Sequence, residues 1–121
     1  MWETLSSIDR DDLYAKHASA EWRPMLDLLN DLRQHPSANR LSAYTSHFQL
    51  VVTFAIGYVD QQRADRLTID YKPKEETFTL AYLRPFTGTP SELVTCGAPE
   101  VLSVARDFVG RLVSAGEVKS V

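Results

Sequence analysis

The stretch from Phe48 to Tyr82 reads FQLVVTFAIGYVDQQRADRLTIDYKPKEETFTLAY. In three successive segments of it, apolar and polar residues exchange places with period two, the pattern of a β-strand with one wet face. Phe48, Leu50, Val52, Phe54, Ile56 and Tyr58 form the first apolar row, Leu67, Ile69 and Tyr71 the second, and Phe78, Leu80 and Tyr82 the third. The spacing predicts strands over His47 to Val59, Arg66 to Lys72 and Thr77 to Arg84. Gly57 suggests a bulge or sharp twist near the end of the first. A polar loop, Asp60 to Asp65, and a charged turn from Lys72 to Glu76 separate them. Connections this short favour an antiparallel meander. Leu41 to Thr45 reads as a short edge strand, and Glu92 to Thr95 as a short fourth strand.

All three apolar rows need cover, and the ends of the chain supply it. Ser7 or Asp9 can cap a first helix running to about Ser19, with Asp9, Asp11 and Asp12 in the opening turn, where the helix dipole favours carboxylates. Pro24 is tolerated only in a helix's first turn, so a second helix should run from near Glu21 to His35, just before Pro36. Trp22, Met25, Leu26, Leu29 and Leu32 fall on one face of it. Pro99 suits the first turn of a last helix. Val101, Leu102, Ala105, Phe108, Val109, Leu112 and Val113 give that helix a broad apolar stripe, and Gly116 is its stop signal. The expected fold is α+β: a two-layer sandwich with an antiparallel meander sheet of three to five strands. N-terminal helices and a C-terminal helix pack on its even-numbered face.

With 121 residues, one domain (1–121) is the natural reading, and a chain of this size can bury enough surface to fold without a metal or disulfide. The net charge is −3 and the pI about 5.5, which argues against nucleic acid or an anionic membrane as partner. Met1 to His35 carries seven acidic and four basic residues, so the acidity is concentrated in the first third. Cys96 is the only cysteine. Together with an N-terminus lacking a basic and then apolar leader, this fits a reducing, cytoplasmic location. No apolar run reaches the length of a membrane span.

Chemistry-bearing motifs are absent. His17, His35 and His47 stand alone, with none of the spacings that bind metal, and no glycine pattern matches a phosphate loop. No cofactor is expected. Cys96 is the one candidate nucleophile: it lies just before a helix start, where the dipole can lower a thiol pKa. The competing reading is a small, semi-buried side chain. His35, in the last turn of a helix, is placed where a cation is favoured. Arg63, Arg66 and Arg84 could gather near one end of the sheet and hold an anion, Arg66 opening one strand and Arg84 closing the next.

The opposite face of the sheet is more informative. Gln49, Val51, Thr53, Thr68, Asp70, Thr77, Thr79, Ala81 and Leu83 make it Thr-rich and uncharged through its middle. It reads as a half-wet sheet or as a contact face for another protein or a second copy of the chain, with Phe86 and Leu93 extending the contact at the rim.

In size, acidity and layout the chain resembles the small helix-and-sheet immunity proteins that bacteria pair with secreted toxins. The resemblance is one of architecture and attaches to no particular residue. It implies a non-enzymatic protein-binding module, with toxin neutralisation its most concrete version. Asp9, Asp11, Asp12, Asp27 and Asp31 would steer a basic partner. The alternative is a small ligand-binding or hydrolytic domain using Cys96 in a pocket between the sheet and the last helix.

Overall fold

A computed structural model of the chain describes residues 3–5, 23–46, 49–54, 64–86 and 89–119. The strands are β1 (Glu3–Thr4), β2 (Ser42–Ser46), β3 (Gln49–Thr53), β4 (Arg66–Lys72), β5 (Thr77–Leu83) and β6 (Glu92–Gly97). They lie side by side in chain order, every neighbouring pair antiparallel. Among the described residues the helices are α1 (Arg23–Arg33) and α2 (Ala98–Lys119), and a 3-10 turn covers Ala38–Arg40. The architecture is the expected α+β meander with helices on one face.

Period two explains the core. Leu50, Ile69, Leu80 and Val94 stand opposite one another on four adjacent strands, and Tyr71, Phe78 and Cys96 on three. Leu50, Val52, Leu67, Ile69, Phe78 and Leu80 are fully buried. The Tyr71 and Phe78 rings meet with centroids 4.6 Å apart. Tyr82 stacks on Phe108 of α2 at 5.6 Å, tying the sheet to the helix layer. From α2, Val101, Ala105, Phe108, Val109 and Leu112 are buried, the stripe read from the sequence.

Pro24 is the second residue of α1, where its missing amide costs nothing. The buried face of α1 is Met25, Leu28, Leu29 and Leu32, with Leu26 only partly buried. Leu26 and Leu28 both satisfy a helical repeat with their neighbours. Leu28 wins because its side meets α2, where it shares a groove with Val101 and Leu102. Trp22 lies outside the described residues.

Several boundaries differ from the sequence reading. β2 is not an edge: β1 pairs with it, and the Leu5 amide donates to the Leu41 carbonyl at 2.8 Å, with the Leu5 side chain fully buried. β3 ends at Thr53, and the continuation expected to Val59, with its bulge at Gly57, lies outside the described residues, as does the helix expected from Ser7 or Asp9 to Ser19. β6 runs on to Gly97, so α2 begins at once at Ala98. Gly116 does not stop α2, which continues to Lys119. An interior glycine costs a helix only about 1 kcal/mol. His35 lies two residues beyond α1 and not in its last turn. There its Nδ1 accepts a hydrogen bond from the Ser37 amide at 3.1 Å.

The turn between β4 and β5 is closed by the Lys72–Thr77 pair. Glu76 takes a positive φ of 53°, the left-handed residue with which four-residue hairpin loops return the chain to the ladder.

Candidate functional site

The register builds a trough on the sheet face opposite the helices. Tyr44, Val51, Thr68, Ala81 and Leu93 are successive partners across five strands, β2 to β6. The row is large at both ends and small in the middle, so the face is hollow along its centre. A second row, Thr53, Arg66 and Leu83, brings a cation to one end of the hollow. Asp70 and Thr79, paired on a third row, bring a carboxylate to the other, and the Gln49 side-chain amide donates to Asp70 at 2.8 Å. The hollow holds about 580 Å³, within the ~300–1,000 Å³ range of small-molecule sites.

Its floor is drier than a half-wet sheet. Val51, Ala81 and Leu83 are buried, and Thr53 has no exposed surface. Their paired neighbours are the larger Tyr44, Leu93 and Arg66, which stand beside them on the same face. Of the residues expected to contact a partner, Val51 and Leu83 are therefore floor, and Thr53 is buried outside the lining. Thr79 is half-buried in the wall.

The rim is apolar. Leu93 on β6 is 62 % exposed and Phe86, in the loop that follows β5, is 74 % exposed; they are the two large hydrophobic side chains left in solvent among the described residues. Phe86 also has φ 62°, a left-handed conformation that an aromatic residue rarely adopts. The loop is fastened at its far end, where the Ser91 amide and hydroxyl both donate to the Tyr82 carbonyl, at 2.8 and 3.0 Å.

Among the described residues, Asp65 is the buried charge. The Tyr82 hydroxyl donates to its Oδ2 at 2.5 Å, and the Arg84 guanidinium lies 3.7 Å from Oδ1. The Thr53 hydroxyl donates to the Asp65 backbone carbonyl at 3.0 Å. Burial, then the hydrogen bond to the carboxylate, then its charge, all push the Tyr82 phenol well above its ordinary pKa, against smaller opposing effects of Arg84 and Arg111. Sequence reading passed over Asp65 because a single loop aspartate carries no periodic signal. The register could have found it: with Arg66 facing Leu83, the next pair outward is Asp65 and Arg84.

Of the arginines expected to gather, Arg66 lines the trough, whereas Arg84 opens into a different cavity, shared with α2. Arg63 lies outside the described residues, and so do Asp9, Asp11 and Asp12. Asp27 and Asp31 line a groove between α1 and α2, in the helix layer away from the trough, and Asp27 is held 3.5 Å from Arg23. Asp27 and Asp31 and the sheet-face residues therefore occupy different surfaces, and one flat interface cannot use both.

Cys96 lies in β6, half-buried against the core. Burial and then the Glu100 carboxylate push its thiol up, opposite to the lowering expected from the helix start. It lines none of the three cavities described here. Burial, and then the charge of Arg106, hold the His35 pKa below the ordinary histidine value, so the site expected to favour its cation disfavours it. Among the described residues, no three His, Cys, Asp or Glu side chains are grouped to hold a metal, and no helix is long and apolar enough to cross a membrane.

No protein-family model, curated protein or solved structure matches this chain.

Proposed function

We propose that the chain is a non-enzymatic protein-binding module that seats a protein partner over the trough, with Phe86 and Leu93 as anchors. The observation that carries this reading is the pair of exposed apolar side chains, Leu93 lining the trough and Phe86 in the loop after β5, the latter on a backbone conformation that costs energy to keep. Desolvating exposed aromatic and aliphatic anchors is the dominant source of energy at protein interfaces. The uncharged centre of the trough suits the dry middle of such a contact, with Arg66 and Asp70 toward its ends.

The narrower version, an acidic inhibitor neutralising a basic toxin, is supported by the net charge of −3 and its concentration in the first third of the sequence. In that version Asp27 and Asp31 act by long-range steering and not as contacts at the trough, so they govern association rate and its salt dependence.

The test uses two baits in parallel, wild type and the double variant Phe86→Asp, Leu93→Asp, matched for urea midpoint and incubated with native lysate. A protein retained by wild type and lost with the variant supports the proposal. A protein retained equally by both, or none retained by wild type, removes its basis.

A further inference from the structure

A second cavity, of about 630 Å³, opens on the side of the sheet that carries α2. Three guanidinium groups reach it from separate places: Arg84 just beyond the end of β5, and Arg106 and Arg111 on α2. Three carboxylates also line it, so the sum of charge says nothing; the pairing does. Asp65 is buried and takes the Tyr82 hydroxyl. Glu92 and Asp107 both pair with Arg111, the latter at 2.9 Å. That leaves two cations with capacity to spare. Arg106 has no carboxylate partner among the described residues, and its charge is felt by His35. Arg84 is 66 % exposed, and its one described ionic contact, to Asp65, is at 3.7 Å, beyond hydrogen-bond length. Between the arginines the wall is small: Gly110, where an added Cβ would meet nothing within 4 Å, with Ser114 and Ala115.

We infer that this cavity binds a small phosphorylated molecule, its phosphate held between Arg84 and Arg106. One guanidinium fork is enough for a carboxylate. Two that approach from different elements suit a tetrahedral dianion, which can accept from both directions. The Gly110–Ser114–Ala115 wall leaves space beside the phosphate for the rest of the molecule, and the volume exceeds what inorganic phosphate alone fills. Arg111, spent on its two carboxylates, braces the rim, its guanidinium 5.1 Å from the Phe108 ring centroid. The inference is independent of the trough and of any protein partner.

The probes are inorganic phosphate, glycerol phosphate and succinate, titrated at constant ionic strength and followed by thermal shift. Phosphate and glycerol phosphate should raise Tm saturably, glycerol phosphate at the lower concentration, and succinate should not. Each arginine supplies a charge-assisted hydrogen bond, so Arg84→Gln and Arg106→Gln should each weaken binding about tenfold or more. Arg23→Gln, on α1, should leave it unchanged. Both cavity arginines are solvent-exposed, and a variant that unfolds is replaced by amide chemical-shift mapping of wild type, which should move Gly110 and Ser114 first. No saturation with either phosphate, equal binding of succinate, indifference to both cavity variants, or shifts centred elsewhere would each overturn the inference.

Discussion

Replacing Tyr82 with phenylalanine removes one hydroxyl and should cost far more than its size suggests. The hydroxyl donates at 2.5 Å to Asp65, a carboxylate only 5 % exposed, whose remaining polar neighbour is Arg84 at 3.7 Å. A hydrogen bond to a charged group is worth about 1.5–3 kcal/mol, and here its loss leaves a buried carboxylate short of a donor. Tyr82→Phe should therefore lower unfolding stability at pH 7 by about 2 kcal/mol, a large share of the ~5–15 kcal/mol typical of a domain. The difference should then shrink in alkali. The folded state raises the Tyr82 pKa, while in the unfolded chain the phenol titrates near its ordinary value of about 10. The stabilisation is thus complete below about pH 10 and is lost as the pH climbs beyond it, because the unfolded chain releases a proton that the folded one keeps. By pH 11 the wild type should have lost stability that the variant has not. Urea unfolding of both proteins at pH 8 and pH 11 measures this, the subtraction cancelling the other tyrosines. Equal stability at pH 8, or a gap that does not narrow at pH 11, would refute the coupling.

Leu80→Ala should cost about 2–5 kcal/mol in the same assay, because Leu80 is fully buried at the centre of the sheet. Phe54→Ala should cost less, since Phe54 is only partly buried and its ring lies 5.5 Å from the Arg40 guanidinium carbon. Cys96 should alkylate more slowly than free cysteine at neutral pH, and Glu100→Gln should speed it, with iodoacetamide kinetics against pH as the readout. His35 should titrate below the ordinary 6.5 by NMR, and Arg106→Gln should move its midpoint back up. Because that pKa is lowered in the folded state, whatever stability it confers is complete above pH 6.5 and declines as the pH falls below it.

The apolar rows from Leu50 to Tyr82 were readable in the sequence because one buried face imposes a strict period of two. The stripe of α2 was readable for the analogous helical reason. Leu28 was not, because two overlapping stripes on α1 satisfy the same repeat and only the position of α2 chooses between them. Val51 and Leu83 were expected at a half-wet surface, since alternation places them opposite the core. Their burial comes from large neighbours on adjacent strands, which depends on register and not on the order of residues along the chain. Asp65 and the cavity of Arg84 and Arg106 were missed for a related reason. Asp65 lies 17 positions from Tyr82 and Arg84 lies 22 from Arg106, on separate elements, and no local pattern connects them.

The chain-order arrangement of the six strands bears on how the protein folds. From β2 to β6 each ladder joins strands that follow one another with no helix between them, and only the β1–β2 pair, with α1 lying between its strands in the sequence, closes a long loop. Sheets with parallel crossovers or Greek-key returns must hold far-apart segments together first, and they fold slowly for that reason. Here β4 and β5, joined by four residues, can zip from their turn and template β3 and β6 on either side. Refolding should accordingly be quick for a β-rich chain, with α2 docking last over a sheet already formed.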